Sequence, residues 1–321
     1  ELDSIIIDDN VYYLKEDFLL DASKYSKASY KKIDLNIKPE INKLVQINYS
    51  FPKDKNIKTY NTFVEKEINI SEIDSDYFDF KKNNIKIEDK DIIFDAKEYN
   101  INKPIYIKDG YNLNIKPGTK LIFSENSYIL IENGSLKILG KADNQITFTA
   151  KNKSWKGIHV INDDNMSIIE HAKFSKLNYF DNEKFSLTGA INFYNSNVKI
   201  YNSIFNEVYS EDAINFIHTK FIVKNCRFNT VLSDAIDSDF SEGKVIKTNF
   251  YKIDGDGIDT SGSNVKINDV LLDYIGDKGI SVGEESLVSI SNVEINGSNI
   301  GIASKDGSKV MAKNLIIKNS T

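Results

Sequence analysis

Apolar and polar residues alternate in short runs along most of this chain. Val265 and Ile267 are two residues apart, as are Val270 and Leu272. This two-residue spacing is the period of β-strands rather than the 3.6-residue period of helices. Turn-forming residues separate the runs, for example Asp-Gly-Asp-Gly at 254–257. The pattern therefore predicts an all-β protein with short strands joined by tight turns.

One isoleucine marks the same place in a repeat of about 22 residues. The intervals between successive copies are 23, 22, 22, 22 and 22 residues. The copies are Ile191, Ile214, Ile236, Ile258, Ile280 and Ile302. A second apolar row, with nearly the same spacing, is formed by Phe205, Phe228, Phe250, Leu272 and Ile295. Two rows in phase predict a right-handed, single-stranded parallel β-helix in which each row becomes a buried ladder.

Residues 1–88 do not follow this period, so we expect two domains. Alternating runs such as 33–37 and 44–48 predict a small β-rich domain or cap over residues 1–88, followed by the β-helix over 89–321. Residues 181–186 are predicted to form a loop insertion. The sequence shows no cap at its last coil, so we expect residues 301–321 either to self-associate or to be covered by a further C-terminal domain.

Composition and charge exclude several classes of protein. The net charge of −6 and the mixing of acidic and basic residues predict no basic stripe and hence no nucleic-acid partner. The chain lacks the run of about 18 apolar residues that membrane insertion requires. A single cysteine, Cys226, provides neither an internal disulfide nor a cysteine-based metal site.

Aspartates flank the isoleucine ladder in successive repeats. They are Asp212, Asp234, Asp237, Asp239, Asp254, Asp256, Asp259 and Asp277. Carboxylates stacked about 5 Å apart raise one another's pKa values or recruit a cation, so they can serve as acid and base or bind Ca²⁺. The alternative is a structural ladder in which each Asp bonds to neighbouring backbone. The predicted calcium ligands are Asp237, Asp256, Asp259 and Asp277.

Two segments resemble the catalytic coils of polygalacturonases, which belong to the pectin-lyase-like β-helix superfamily. Asp-Gly-Ile-Asp at 256–259 is followed one coil later by Gly-Asp-Lys-Gly-Ile at 276–280. The resemblance implies catalytic carboxylates at Asp256 and Asp277. Lys278, however, stands where the family has a second Asp, and residues 300–301 are Ile-Gly where the family has His-Gly. These differences argue against inverting hydrolysis by that family's mechanism.

Lys278 and His159 are further candidates on the same face. Lyases on this fold use Lys or Arg as a Brønsted base, which the resemblance implies for Lys278. Nearby carboxylates would raise the pKa of Lys278 and favour a structural ion pair instead. The predicted substrate contacts are Asp234, Asp237, Asp259 and His159.

The sequence leaves two functions open. The first is a secreted or cell-surface β-helix that binds a polysaccharide along the acidic face or processes it as a lyase or glycoside hydrolase. The second is a non-catalytic structural or adhesion module of a larger surface protein or assembly. An open groove around Asp256, Asp277 and Lys278 would favour catalysis. A flat face whose side chains pair with neighbours would favour a scaffold.

Overall fold

The computed structural model describes residues 2–7, 10–18, 44–51, 54–63, 77–163, 165–181 and 186–320. Within these ranges every regular element is a β-strand. The described strands fall into two compact units, an N-terminal sheet and a parallel β-solenoid. A search of the described residues for a helix able to span a membrane finds none.

The N-terminal unit is an antiparallel sheet of four strands in the order β2-β1-β3-β4. Its strands are β1 (Leu2–Ile7), β2 (Asn10–Phe18), β3 (Leu44–Phe51) and β4 (Asp54–Phe63). The prediction of a small β-rich N-terminal element is confirmed. The predicted alternating run at 33–37 lies outside the described residues, and the boundary after residue 88 stays a prediction.

Three columns of parallel strands form the solenoid. Sheet A contains β6 (Asp91–Phe94), β9 (Asn112–Ile115), β12 (Leu136–Leu139), β15 (Ser167–Glu170), β20 (Val198–Tyr201), β23 (Lys220–Lys224) and β26 (Glu242–Ile246). Sheet B contains β7 (Glu98–Ile101), β10 (Lys120–Phe123), β13 (Ile146–Ala150), β16 (Ala172–Leu177), β21 (Ile204–Val208), β24 (Arg227–Val231) and β27 (Asn249–Ile253). Sheet C contains β8 (Ile105–Ile107), β11 (Ile129–Glu132), β14 (Ile158–Ile161), β19 (Gly189–Tyr194), β22 (Asp212–Ile217), β25 (Asp234–Asp239), β28 (Ile258–Ser261), β30 (Lys278–Gly283) and β32 (Ile300–Ser304).

The remaining strands join or flank these columns. Three long strands run through sheets A and B, namely β29 (Asn264–Ile275), β31 (Leu287–Asn296) and β33 (Lys309–Lys318). The short strand β5 (Lys86–Glu88) pairs antiparallel with β6. Strands β17 (Phe180–Asp181) and β18 (Ser186–Leu187) pair antiparallel at the two ends of the predicted insertion. The two described ends of the insertion therefore lie side by side.

The isoleucine ladder is in register along sheet C, as the repeat predicts. Each of the six isoleucines pairs with the next, and the ladder extends back through Ile158 and Ile129 to Ile105. From Ile105 to Ile280 these side chains are fully buried. Burial of each stabilises the fold by about 1.5–3 kcal/mol before entropy is subtracted.

The second row is an aromatic stack inside sheet B. Phe148, Phe174, Phe205, Phe228 and Phe250 follow one another with ring centroids 4.7, 5.1, 4.7 and 5.0 Å apart. All five rings are buried. The predicted all-β parallel solenoid is thus confirmed by both rows.

Candidate functional site

The local backbone of sheet C brings the aspartates onto one outer face. In each coil two consecutive residues are buried, the ladder isoleucine and the small residue before it, such as Ala235-Ile236 and Gly257-Ile258. Position 257 requires glycine, because a Cβ there would lie 2.2 Å from Leu272 Cδ2 in the core. Since two successive positions face inward, the residue two before the isoleucine and the residue one after it both lie outside.

Five aspartates from three coils occupy these positions, and a sixth, Asp239, follows two residues after Asp237; we call the six the acidic face. They are Asp212, Asp234, Asp237, Asp239, Asp256 and Asp259. Asp212 is in register with Asp234, and Asp237 is in register with Asp259. Register neighbours in a parallel ladder are about 4.8 Å apart, so the face concentrates negative charge.

Lys278 stands two residues before the ladder isoleucine of its coil, the position that Asp256 holds in the preceding coil. Its Nζ lies 3.2 Å from Asp256 Oδ1 and 3.3 Å from Asp256 Oδ2, and it also bonds to the carboxylate of Asp277. The Lys278 backbone N–H donates to Asp256 Oδ1 at 2.9 Å. Burial lowers the pKa of Lys278, but the hydrogen bonds to Asp277 and Asp256 outweigh it and leave the pKa raised. This is the geometry of an ion pair and not of a Brønsted base.

Burial raises the pKa values of several carboxyls on the acidic face. It raises the pKa of Asp212 to about 7 and that of Asp234 to about 6. The pKa of Asp237 is also raised by burial, and the neighbouring carboxylates of Asp239, Asp212 and Asp259 add to the effect. Since a buried carboxylate loses hydration, Asp237 holds its proton to a higher pH than an ordinary Asp.

Hydrogen bonds connect several carboxyls of the acidic face to neighbouring groups. Asn215 Nδ2 donates to Asp212 Oδ2 at 3.2 Å and to Asp237 Oδ2 at 3.1 Å. Asp259 Oδ1 accepts the Thr260 backbone N–H at 2.7 Å, which stabilises its ionised form. The pKa of Asp259 is nevertheless raised by burial.

Three carboxylates are close enough to share a cation. One oxygen from each of Asp234, Asp256 and Asp259 lies within 4.8 Å of the others. Carboxylate oxygens are the ligands that Ca²⁺ prefers. Of the predicted ligands, the structure thus brings Asp256 and Asp259 together and adds Asp234. Asp237 and Asp277 are outside this group; Asp237 accepts a hydrogen bond from Asn215, and Asp277 accepts one from Lys278.

His159 is buried, although the sequence predicts it as a substrate contact. Its side chain is 1% exposed and packs against Phe180 at 5.2 Å between ring centroids. Nε2 lies 2.8 Å from the Lys156 carbonyl oxygen, and Nδ1 lies 2.9 Å from Asn192 Nδ2. Burial lowers the pKa of His159 to about 4, so the ring is neutral. Both ring nitrogens have hydrogen-bond partners within the protein, so neither is available to contact a polysaccharide at the outer surface.

A row of rings lies beside the acidic face, and two of its members, His218 and Phe240, were not predicted as site residues. The ring centroids of Tyr194 and His218 are 6.2 Å apart, and His218 stacks on Phe240 at 5.3 Å. Phe240 directly follows Asp239 and is 43% exposed. Its ring lies over Gly262, where a Cβ would come within 2.6 Å of it. The signal was present, since His218 and Phe240 each stand four residues after a ladder isoleucine.

The structure also corrects the expectation that the chain has no basic stripe. Six lysines from four coils line two grooves on the outer face of sheet A, namely Lys199, Lys220, Lys224, Lys244, Lys247 and Lys266. They come from successive coils, and the parallel register brings them together on one face. The mixing of acidic and basic residues along the chain therefore did not predict their distribution in three dimensions.

Comparison with known proteins supports the fold. Residues 85–195 match the family model described as a pectate-lyase like beta helix domain. A search of curated proteins gives no match. An alginate lyase from Paenibacillus sp. str. FPU-7 is similar at 11% identity and TM-score 0.33, over 63% of this chain and 89% of that one.

Two further solved structures are similar to this chain at low identity and low TM-score. The catalytic domain of a GH87 alpha-1,3-glucanase in complex with nigerose is 12% identical with a TM-score of 0.39, over 72% of this chain and 60% of that one. The Streptococcus pneumoniae surface protein and adhesin PfbA is 12% identical with a TM-score of 0.23, over 72% of this chain and 90% of that one. The family match over residues 85–195 agrees with the parallel solenoid in that part of the chain, which is therefore similar to a pectate-lyase-like β-helix.

Proposed function

We propose that the acidic face binds a neutral polysaccharide and hydrolyses its glycosidic bonds by carboxyl acid–base catalysis. One observation carries the proposal. The Asp237 carboxyl, whose pKa is raised by burial and by neighbouring carboxylates, is in register with the Asp259 carboxyl on the next coil. Glycoside hydrolysis needs a general acid and an ionised carboxylate on one face, and this pair can supply both.

Asp237 takes the role of the acid in this proposal. Its proton passes to the glycosidic oxygen as the bond to the leaving sugar breaks. The Asp259 carboxylate stabilises the positive charge that develops on the sugar ring or activates the attacking water. Asn215 holds the Asp237 carboxyl by a bond to Oδ2. Hydrolysis is favoured over elimination, because Lys278 is held as an ammonium by Asp256 and Asp277.

The surroundings indicate the class of sugar. Carboxylates on adjacent coils repel a uronate chain, so a neutral polysaccharide fits the acidic face better. The exposed rings of Tyr194 and Phe240 offer apolar surfaces on which sugar rings can stack. A secreted or cell-surface location is part of this proposal, since structural polysaccharides occur mainly outside the cell.

Calcium at Asp234, Asp256 and Asp259 is a further part of the proposal. The three oxygens fit the charge and ligand type that Ca²⁺ requires. A bound cation would offset the negative charge between coils. Lys278 already supplies one positive charge at Asp256, so we expect the affinity to be weak.

Product analysis tests the proposed reaction. The chain is incubated with neutral and acidic polysaccharides, and both reducing ends and the absorbance of unsaturated products are measured. Hydrolysis gives reducing ends without unsaturated product, and Asp237→Asn should lower the rate about 10²- to 10⁴-fold. Asp143→Asn is the matched control, because Asp143 is exposed and lies outside the acidic face. Release of unsaturated product would show a lyase instead.

A non-catalytic structural or adhesion module is the second candidate. It is favoured by the pairing of Asp256 and Asp277 with Lys278, which satisfies these groups within the protein. In that case no polysaccharide in the panel yields product. Asp237→Asn would then change stability or binding but no rate.

A further inference from the structure

A cluster of lysines lies on the outer face of sheet A, whereas the acidic face lies on sheet C. One groove, of about 290 Å³, and a second groove, of about 620 Å³, lie on this sheet. Ile222 and Lys244 line both grooves, so the two are contiguous. We call this surface the lysine face.

Register stacks the lysines along the solenoid axis. Lys199, Ile222, Lys244 and Lys266 occupy successive rungs of one outer column. Lys199 and Lys244 are therefore about 10 Å apart along the axis, with the apolar side chain of Ile222 between them. Lys244 and Lys266 are direct register neighbours, which is unfavourable for two like charges.

Acidic partners are scarce on this face. Among the described residues that line the grooves, the acids are Glu170 and Glu242, and Glu242 pairs with Lys220 at 3.4 Å. In sheet B, by contrast, a lysine forms an ion pair with an acid of the preceding coil. Lys120 Nζ lies 2.9 Å from Glu98 Oε2. The lysine face thus concentrates positive charge in a chain whose net charge is −6.

We propose that the lysine face is a binding site for a linear carboxylated polysaccharide, such as a polyuronate. Its carboxylates would meet the ammonium groups of successive coils, and the apolar faces of its sugar rings would lie on Ile222. Nucleic acid fits less well, because the aromatic side chains that line the two grooves are the half-buried Tyr201 and the buried Phe221, whereas single strands bind largely by stacking on exposed rings. This site lies on a different sheet from the acidic face and does not depend on the proposed hydrolysis.

Calorimetric titration with polygalacturonate oligosaccharides at low salt tests the site. The triple variant Lys199→Gln, Lys244→Gln, Lys266→Gln should raise Kd about tenfold, since each lost contact of an exposed charge contributes modestly. The matched control is Lys151→Gln, Lys153→Gln, Lys173→Gln, which removes the same charge from exposed lysines outside both grooves and should leave Kd unchanged. Replacing the three groove lysines by Arg instead should preserve binding.

The salt and ligand series give the remaining outcomes. Added NaCl should weaken binding to the wild type more steeply than to the Gln variant. Fully methyl-esterified oligosaccharides should bind at least tenfold more weakly than the acidic ones. The proposal is overturned if the wild type does not bind, if the control loses as much affinity as the groove variant, or if the ester binds equally well. Tighter binding of single-stranded DNA than of polygalacturonate would also overturn it.

Discussion

Removal of the Lys278 ammonium should destabilise the solenoid strongly, because it leaves a buried carboxylate without its cation. Asp256 is 5% exposed and receives two hydrogen bonds from Lys278 Nζ, one to each carboxylate oxygen. The variant Lys278→Gln removes the charge and shortens the side chain by one atom, while an amide N–H donor remains. It therefore tests the contribution of the ammonium to this ion pair.

The expected cost follows from burial. Loss of one partner of a buried pair typically costs about 3–5 kcal/mol, because the other charge stays desolvated. The Lys278 side chain is 20% exposed, so water reaches the vacated position and the lower end, about 3 kcal/mol, applies. The double variant Asp256→Asn, Lys278→Gln removes both charges and should recover about 2 kcal/mol of this loss.

Trp155 provides the assay. It is the single tryptophan of the chain and is fully buried against Phe123, with ring centroids 4.0 Å apart. Its emission therefore reports unfolding of the solenoid in urea for the wild type, both single variants and the double variant. Equal midpoints for Lys278→Gln and the wild type would refute the ion-pair argument. Additive effects of the two single variants would refute the coupling between them.

Three further predictions concern the ladder, the cation and the carboxyl pKa values. Ile258→Asp should cost several kcal/mol and Asp259→Ala less than about 1 kcal/mol, because only the first buries an unpaired charge, and equal melting temperatures would reverse the assignment of inward and outward faces. Millimolar Ca²⁺ should raise the melting temperature of the wild type but not of Asp259→Ala, and an equal shift in both would exclude the predicted ligands. Burial raises the pKa of Asp212 from 3.8 to about 7, so between these two pH values the folded state binds more protons than the unfolded state. Stability should consequently fall as pH rises from about 4 to about 7, and Asp212→Asn should flatten that slope, whereas an unchanged slope would contradict the assignment.

The fold was predictable because one residue type, isoleucine, recurs once in each coil at a nearly constant interval. From Ile191 to Ile302 each ladder position holds one isoleucine at intervals of 22 or 23 residues, and coils of that length place all six in register. The same period predicted the aspartate columns beside the ladder. The prediction that residues 301–321 self-associate or are covered stays untested, although Met311, Ile316 and Ile317 are exposed there.

The detailed site depended on contacts that the period does not encode. Asp234 joins Asp256 and Asp259 because two consecutive inward residues bring positions before and after the isoleucine to one face. His159 is buried because Phe180, which directly precedes the predicted insertion, packs over it. Such contacts join residues of different coils that are distant in sequence.

The most direct test of the proposed function is the product formed from a neutral polysaccharide by the wild type, Asp237→Asn and Asp143→Asn, with equal folding verified by Trp155 emission. Hydrolysis at the acidic face predicts new reducing ends without unsaturated product for the wild type and for Asp143→Asn, and at least about a hundredfold slower release for Asp237→Asn. Equal rates for all three proteins would contradict the assignment of Asp237 as the acid. Absence of product from every neutral polysaccharide would contradict the proposal that this face hydrolyses one.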